Sequence, residues 1–423
     1  MSLLPIDEAL RIIAESTPLM PIETASPLDA LGRPLVERVV APVDLPPFDN
    51  SAVDGYAMHP DDIAAAARGA AQSESAKPLV LRVAAEVAAG GEESAPLAPG
   101  ETVRVMTGGR VPRGASAVVM REDVVEPQPH GDANATIRRA PNPGANIRRR
   151  GGEIRAGDVA CEAGQIVNPG VLGLLVSLGI ERVALRRRPK VAILATGNEL
   201  LAAGAIRTPG SIYDSSTPIL SALVASAGAI PVPLPIARDD RDDLARTIAR
   251  GLEHDALITT GGVSVGDYDF TKEILGSLGV EIRFWKVAMK PGKPLVYGIR
   301  GGTRVFALPG NPGSSLATFE RFVRPALRKM VGDAHWEPRD VDALADAPCE
   351  NSGDRTLFLR ARAFARDGVL RARPFEAQGS GTIRSLADCN AFIVLPPRTS
   401  RIEAGGRVRV QLLPEVFGDL SAT

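Results

Sequence analysis

Apolar positions in residues 6–15, "IDEALRIIAE", recur at helical spacing and predict a short amphipathic helix, stopped at Ser16–Pro18. From Leu28 to about Asn146 the texture changes to short apolar runs broken by Pro and Gly, among them "LVERVVAP", "LVLRVAAEV", "TVRVMTGG" and "AVVMREDVVEP". These predict a compact β-rich region, barrel or sandwich-like. Inside it "IAAAARGAAQSESA" (63–76) reads as a helix or an exposed insertion. Beyond the basic tract "RRRPK" (186–190), the runs "VAILATG", "AIPVPLPIA", "DALITTGG", "VEIRFWKVAM" and "RVFALPG" alternate with helical patterns such as "STPILSALVASAG", "DDLARTIARGLE" and "FTKEILGSLG". Strand alternating with helix predicts βαβ units and a mainly parallel sheet. The helix "SSLATFERFVRPALRKMVG" closes this region, and after about Gly332 short strand-like runs return as a separate small β domain. The fold class is multidomain α/β plus β: a central α/β domain with a mainly parallel sheet, flanked by β-rich domains.

The chain of 423 residues is long enough for roughly three or four domains at about 100–150 residues each. Hydrophobic content of 44% and charge of 23% are ordinary for a folded soluble protein. A net charge of −1 gives no global attraction to nucleic acid or acidic membranes, and no stretch approaches the ~20 apolar residues of a membrane span. Cys161, Cys349 and Cys389 are far apart and odd in number, so neither a disulfide framework nor a zinc site is expected. The N-terminus carries early acids and helical periodicity, unlike a signal peptide. A reducing cytoplasm is the expected location, with no nucleic-acid or membrane partner.

Chemistry concentrates where the α/β strands end. "ATGNEL" carries Thr196, Gly197 and Glu199; "TTGGVSVGDYD" carries Gly261, Gly262, Ser264, Asp267 and Asp269; "ALPGNPGSS" carries Gly310, Asn311, Ser314 and Ser315. Each turn alone means little, since Gly and Pro after a strand usually mark only a turn. Parallel strands bring such loops to one edge, where ligands of open α/β sheets bind. "GGVSVGD" lacks the ending of a Walker A loop and the spacing of a dinucleotide fingerprint. "KVAMKPGKPLVYG" adds Lys286, Lys290 and Lys293, held by Pro291 and Pro294 at a strand entrance. Carboxylates beside lysines suit an anion bound with Mg²⁺. No Ser–His–Asp or Cys–His arrangement supports covalent acyl chemistry.

A second loaded stretch, "PPFDNSAVDGYAM" (46–58), packs Asp49, Asn50, Ser51 and Asp54 around an Asp-Gly turn. "RVMTGGRVP" and "NIRRRGGEI" add Thr107 and the triplet Arg148–Arg150, which suits either a solvated linker or a phosphate grip. Nothing in local sequence physics joins these segments to the α/β pocket.

Taken in order, "PPFDNSAVDGYA", "RVMTGGRVP", "NIRRRGGEI", "TGNEL", "TTGGVSVGDYDFTK", "FWKVAMKPGKPLVYG" and "LPGNPGSS" resemble the MoeA family of molybdopterin molybdenumtransferases, to which the E domains of gephyrin and of its plant counterpart are related. The resemblance implies an elongated homodimer with a linking and dimerisation domain (1–45 with 146–180), a β-rich domain (46–145), a molybdopterin-binding α/β domain (181–332) and a C-terminal β domain (333–423). It implies insertion of molybdate into adenylylated molybdopterin with release of AMP, dependent on Mg²⁺ or a similar ion. Carried onto this chain, the catalytic positions are Asp54, Thr107, Glu199, Asp239, Asp269, Lys286 and Lys290, with Glu199 and Asp269 toward the metal. The binding positions are Arg148, Gly261, Gly262, Ser264, Lys293, Pro309, Ser314, Arg355 and Ser380, of which Lys293, Ser314, Arg355 and Ser380, together with Lys290, surround molybdate. Asp54, Thr107 and Arg148 of one subunit would complete a site built mainly by the other. A contact with the molybdopterin adenylyltransferase is also implied.

Three departures from the family pattern stand out. Asn198 replaces a frequent Asp, Glu153 lengthens a frequent Asp, and Gly313 stands where Val is common, which predicts a looser turn before the following helix. Two rival readings remain at this point. The adenylyltransferase itself shares the α/β domain, but it is much shorter and typically carries a "TGGTG"-like loop. A peptide-binding scaffold is the other, set against the retained acids and lysines.

Overall fold

After its exposed first residue, the strand Lys190–Ala195 (β1) is buried on both faces because two different layers cover it. The computed structural model describes residues 3–72, 78–127, 133–262 and 268–414. In it Val191 and Ile193 join one apolar cluster, while Ala192 and Leu194 join another. A strand covered on both sides reads as a continuous apolar run, which is how "VAILA" looks. The sheet continues with Ile230–Pro233 (β2), Ala256–Thr260 (β3), Glu281–Trp285 (β4), Val296–Arg300 (β5) and Thr303–Leu308 (β6), in the order β2-β1-β3-β6-β5-β4. β1 pairs in parallel with β2 and β3, and β3 with β6; β5 runs antiparallel to both β4 and β6. The β5–β6 hairpin turns through Gly301 and Gly302, with Gly301 at φ 54, the left-handed backbone that tight hairpins need.

Ser216–Ser226 (α1), Arg241–Gly251 (α2) and Tyr268–Ser277 (α3) separate the parallel strands. On one face Leu220 and Leu223 of α1 pack with Phe306, Phe319 and Phe322 and with Ile6, Ala9 and Ile13 of the helix Ile6–Ser16. On the other face, Leu244 and Ile248 of α2 meet Ile274 and Leu275 of α3. After β6 the chain enters Pro312–Thr318 (α4) and continues as a helix through a π turn, Phe319–Val323, to Arg324–Met330. A buried pair of Arg324 and Glu320, 2.6 Å apart, sits at that irregularity.

The strands after Gly332 close on themselves. Asp340–Ala345, Val369–Pro374, Thr356–Arg366, Ala391–Leu395 and Arg407–Leu412 form a cycle of five hydrogen-bonded neighbours, since Thr356–Arg366 pairs with both Val369–Pro374 and Ala391–Leu395. Closure removes the open edges that a small sheet would otherwise expose. Met289–Lys290 adds to this barrel as a short parallel strand.

By packing, the chain divides into two units. One comprises Met1–Glu37, Gly164–Val167 and Ala184–Thr423, and so holds the α/β sheet and the small barrel; the other comprises Arg38–Ala163 and Asn168–Val183. The second unit is built on a six-stranded sheet in which Gly55–Met58, Glu101–Val105 and Leu79–Val87 are central. Tyr56, Met58 and Leu81 fill one side of that sheet, and Ala57, Val103 and Val105 the other. Pro60–Gln72 is helical, as one of the two readings of its alanine-rich sequence has it. The fold class is therefore the expected mixture of a mainly parallel α/β sheet and β-rich parts.

Candidate active site

The register of the α/β sheet sets Ala195, Thr260 and Leu308 side by side at the carboxyl ends of β1, β3 and β6. The loops that follow therefore emerge together. They enclose a cleft of about 500 Å³ whose walls include Thr196, Glu199, Thr260, Gly261, Gly262, Pro309 and Asn311. Such a volume suits a small organic ligand. Gly261 is required by close approach: at φ 95, a Cβ there would lie 2.5 Å from the Thr196 carbonyl oxygen. The bare backbone at this turn lets the β1 and β3 loops touch. Thr260 Oγ1 donates to Pro309 O at 3.3 Å, which ties the β3 and β6 loops at the same place.

Asp239 organises the first loop. It accepts from Thr196 Oγ1 and from the Asn198 backbone N–H, both at 3.1 Å, and its own N–H donates to Asn198 Oδ1 at 3.2 Å. The amide at 198 thus makes a reciprocal bond with Asp239 without adding a second negative charge. Glu199 lies in the cleft wall, exposed; its carbonyl accepts from the Ile212 N–H at 2.8 Å, and its carboxylate has no hydrogen-bond or ion-pair partner among the described residues. Ser264 and Asp267 lie outside the described residues, as does the Asp269 side chain, although the Asp269 backbone stands in α3. Among the described residues no group of three or more His, Cys, Asp and Glu is arranged to hold a metal. Glu199 alone fits the one or two carboxylates that Mg²⁺ takes when substrate phosphates supply other oxygens.

The lysine segment lies along the neighbouring strands. Lys286 adopts φ 66, unusual for a residue with a side chain, and its Nζ stands 3.7 Å from the centre of the Trp285 ring. Lys290 pairs opposite Leu357 on the barrel, which carries Arg355 alongside: Arg355 Nη1 donates to Met289 O at 3.3 Å. Lys290 and Lys293 are exposed with no acid partner among the described residues. Pro294 reaches the cleft wall, whereas Lys286, Lys290, Lys293 and Arg355 are not part of it.

Ser314 is buried in the first turn of α4 and its N–H donates to Asn311 O at 2.9 Å. Ser380 arrives from the small barrel, its Oγ accepting from Asn311 Nδ2 at 3.0 Å and its carbonyl accepting from the Gly313 N–H at 2.9 Å. Gly313 does not loosen this turn, contrary to the expectation from its missing side chain. It is buried, and a Cβ there would stand 2.4 Å from Arg360 Nη1 and 3.0 Å from Ser380 O. The vacant volume is filled by a guanidinium.

The second unit gathers the other motifs. Ile147–Arg148 pairs antiparallel with Asn50–Ser51, and Ser51 exchanges backbone bonds with Gly108 and Gly109. Thr107 N–H and Oγ1 both donate to Asp54 Oδ1, at 2.7 and 2.8 Å. These bonds, the backbone one first, hold the Asp54 carboxyl below the usual carboxylate range. In the triplet, Arg149 pairs with Asp49 at 2.7 Å and Arg150 with Asp44 at 2.5 Å. Arg148 is exposed with no polar side-chain partner among the described residues.

Several wall residues were not singled out from sequence. Tyr213 and Ser215 ahead of α1 and Ser216 at its start line the cleft, and Gly381 and Ile383 come from the barrel. "YDSSTP" does carry a helix-start signal, and Asp214 Oδ1 accepts from Ser216 N–H at 2.9 Å and Thr217 N–H at 3.0 Å. No local pattern marks Gly381.

Three family models match successive parts of the chain: the MoeA N-terminal region (domain I and II) over residues 4–179, a probable molybdopterin binding domain over 192–329, and the MoeA C-terminal region (domain IV) over 342–413. The molybdopterin molybdenumtransferase of Haemophilus influenzae is 33% identical over 421 residues, covering 98% of this chain and 100% of that protein. The Bacillus subtilis enzyme of the same name is 34% identical over 416 residues, covering 98% and 95%. The crystal structure of the molybdopterin biosynthesis MoeA protein from Pyrococcus horikoshii superposes with a TM-score of 0.77 at 30% identity, covering 97% and 100% of the two chains. A match of this extent, with three family models in succession along the chain, means that the protein belongs to the MoeA family of molybdopterin molybdenumtransferases, enzymes of molybdenum cofactor biosynthesis.

Proposed function

We propose that the chain inserts molybdate into adenylylated molybdopterin and releases AMP. The observation that carries this reading is the cleft at the ends of β1, β3 and β6, which sets bare glycine backbone beside the unpartnered carboxylate of Glu199. Gly261 and Gly262 offer close backbone approach to a phosphate-bearing ligand. Lys290, Lys293 and Arg355 supply the cations for a dianion, and the hydroxyls of Ser314 and Ser380 the donors for its oxygens. Pro309 holds the wall between them, and Asp239 keeps the Thr196–Glu199 loop in place.

In this reading the phosphoanhydride of the substrate is cleaved by water, AMP leaves, and the pterin keeps its own phosphate. The dithiolene sulfurs bind molybdenum as oxo ligands depart with protons as water. Mg²⁺, held by Glu199 and Asp269 together with substrate oxygens, would supply charge neutralisation at the anhydride. Lys286 orients against the same charge, and Ser264 belongs to the loop that cradles it.

The protein acts as a homodimer in which Asp54, Thr107 and Arg148 of one subunit complete the site of the other. The four domains divide near residues 45, 145, 180 and 332. The adenylyltransferase that makes the substrate hands it over by direct contact. The cytoplasm is the proposed compartment: all three cysteines are buried free thiols, and among the described residues no helix is long and apolar enough to cross a membrane. The test is incubation with adenylylated molybdopterin and Mg²⁺, with and without molybdate. Molybdate-dependent AMP release is expected; pterin binding with no AMP under either condition would favour a carrier instead.

A further inference from the structure

Arg360 is 1% exposed, and among the described residues its side chain is one of the largest that are fully buried. It stands on the barrel strand Thr356–Arg366 and donates to the loop before the short helix Arg384–Ala387 and to that helix itself. Nη2 donates to Ala377 O at 2.8 Å and Gly379 O at 2.9 Å, and Nε to Ser385 Oγ at 2.9 Å. The Arg360 backbone N–H donates to Gln378 Oε1 at 3.0 Å, and Gln378 Nε2 returns a bond to Arg360 O at 2.9 Å. No carboxylate among the described residues pairs with the guanidinium. Cys389, which interacts with it electrostatically, has its thiol pushed by burial up to about 11 and is neutral at pH 7. A desolvated cation without an acid is costly and calls for a compensating anion.

The remaining nitrogen, Nη1, faces the first turn of α4 through the gap at Gly313, where a Cβ would come within 2.4 Å of it. The loop that Arg360 holds carries Ser380, bonded to Asn311 and Gly313, and Gly381 in the cleft wall. One side chain thus spans the barrel loop and the turn that borders the cleft.

We propose that Arg360 is a positioning residue for the oxyanion side of the cleft: its fork clamps residues 377–381 onto the first turn of α4, sets Ser380 and Gly381, and places an uncompensated positive charge behind them. The proposal rests on the reading that this side of the cleft receives molybdate. Gly313 is its necessary counterpart, because any larger residue displaces the guanidinium.

The test compares wild type with Arg360→Lys, Arg360→Met and Gly313→Ala. Molybdate binding is measured by calorimetry, and KM for molybdate, KM for the adenylylated pterin, kcat and Tm are recorded for each. Arg360→Met should weaken molybdate binding and raise its KM by roughly tenfold, the scale of one lost charge-assisted hydrogen bond, with the pterin KM within about twofold. Arg360→Lys keeps the charge without the fork and should fall between, and Gly313→Ala should shift molybdate in the same direction by a few fold. A folded Arg360→Met with unchanged molybdate affinity overturns the proposal. If that variant does not fold, an unchanged molybdate affinity in Gly313→Ala does so. A wild type that binds molybdate but inserts none removes the insertion reading, while the calorimetric comparison still decides the role of Arg360. A wild type that does not bind molybdate at all overturns both.

Discussion

Thr107 and Asp54 are joined twice, the backbone N–H and the hydroxyl of Thr107 both donating to the same carboxylate oxygen. A carboxylate held by two donors ionises more readily than a free one. Removing the hydroxyl in Thr107→Ala leaves the backbone bond and raises the Asp54 carboxyl toward its ordinary value. The acid limb of the pH–rate profile should then move to higher pH, and kcat/KM should fall by about tenfold. Thr107→Ser keeps the hydroxyl and should stay close to wild type. A pH–rate profile unmoved in Thr107→Ala would separate Asp54 from the reaction.

Gly261→Ala forces a Cβ against the Thr196 carbonyl at a φ of 95, where side chains are rarely accommodated. The expected destabilisation is about 1–3 kcal/mol, with a larger proportional loss of activity because the strained turn is the cleft wall. Denaturant unfolding and turnover measured on the same preparation check it. Full activity with a normal midpoint would mean that the loops do not need to touch.

Glu199→Gln removes the carboxylate from the cleft wall while preserving its size. The Mg²⁺ concentration for half-maximal activity should rise by about tenfold or more, since a single carboxylate can carry much of a Mg²⁺ site. Titration of Mg²⁺ at saturating substrate reads this directly. An unchanged requirement would assign the metal elsewhere.

The alternating texture made the α/β sheet legible because β1, β3 and β6 are covered on both faces and each ends in a loop rich in glycine. The antiparallel course of β5 was not, since "LVYG" shows burial but no direction. The pairing of Met289–Lys290 with Thr356 and Leu357 brings Arg355 against Met289, 66 residues away in the chain, and leaves no local trace. The same holds for Asp54 with Thr107, 53 residues apart, and for Arg360 filling the space at Gly313. Motif order pointed to several of these residues; only the fold supplies the distances.

Asp255 carries a pH-dependent contribution to stability away from the cleft. Its burial opposes ionisation, but two bonds of 2.7 Å from Arg187 and one of 2.7 Å from the Lys190 N–H outweigh it and lower the carboxyl. Because the folded value lies below an unfolded one of about 3.9, the contribution is complete above that pH and disappears as pH falls through the folded value. Asp255→Asn should therefore cost about 1–3 kcal/mol near pH 7 and progressively less under acid. Equal losses at neutral and strongly acidic pH would contradict the assignment.

The most direct measurement is a single turnover with protein in excess over adenylylated molybdopterin, scoring released AMP and pterin-bound molybdenum in the same quenched sample. Coupled insertion predicts that the two rise together, in equal amounts and with one rate constant, and that neither forms without molybdate. AMP released at the same rate without molybdate, or in excess of bound molybdenum, would contradict it and leave the cleft a hydrolase.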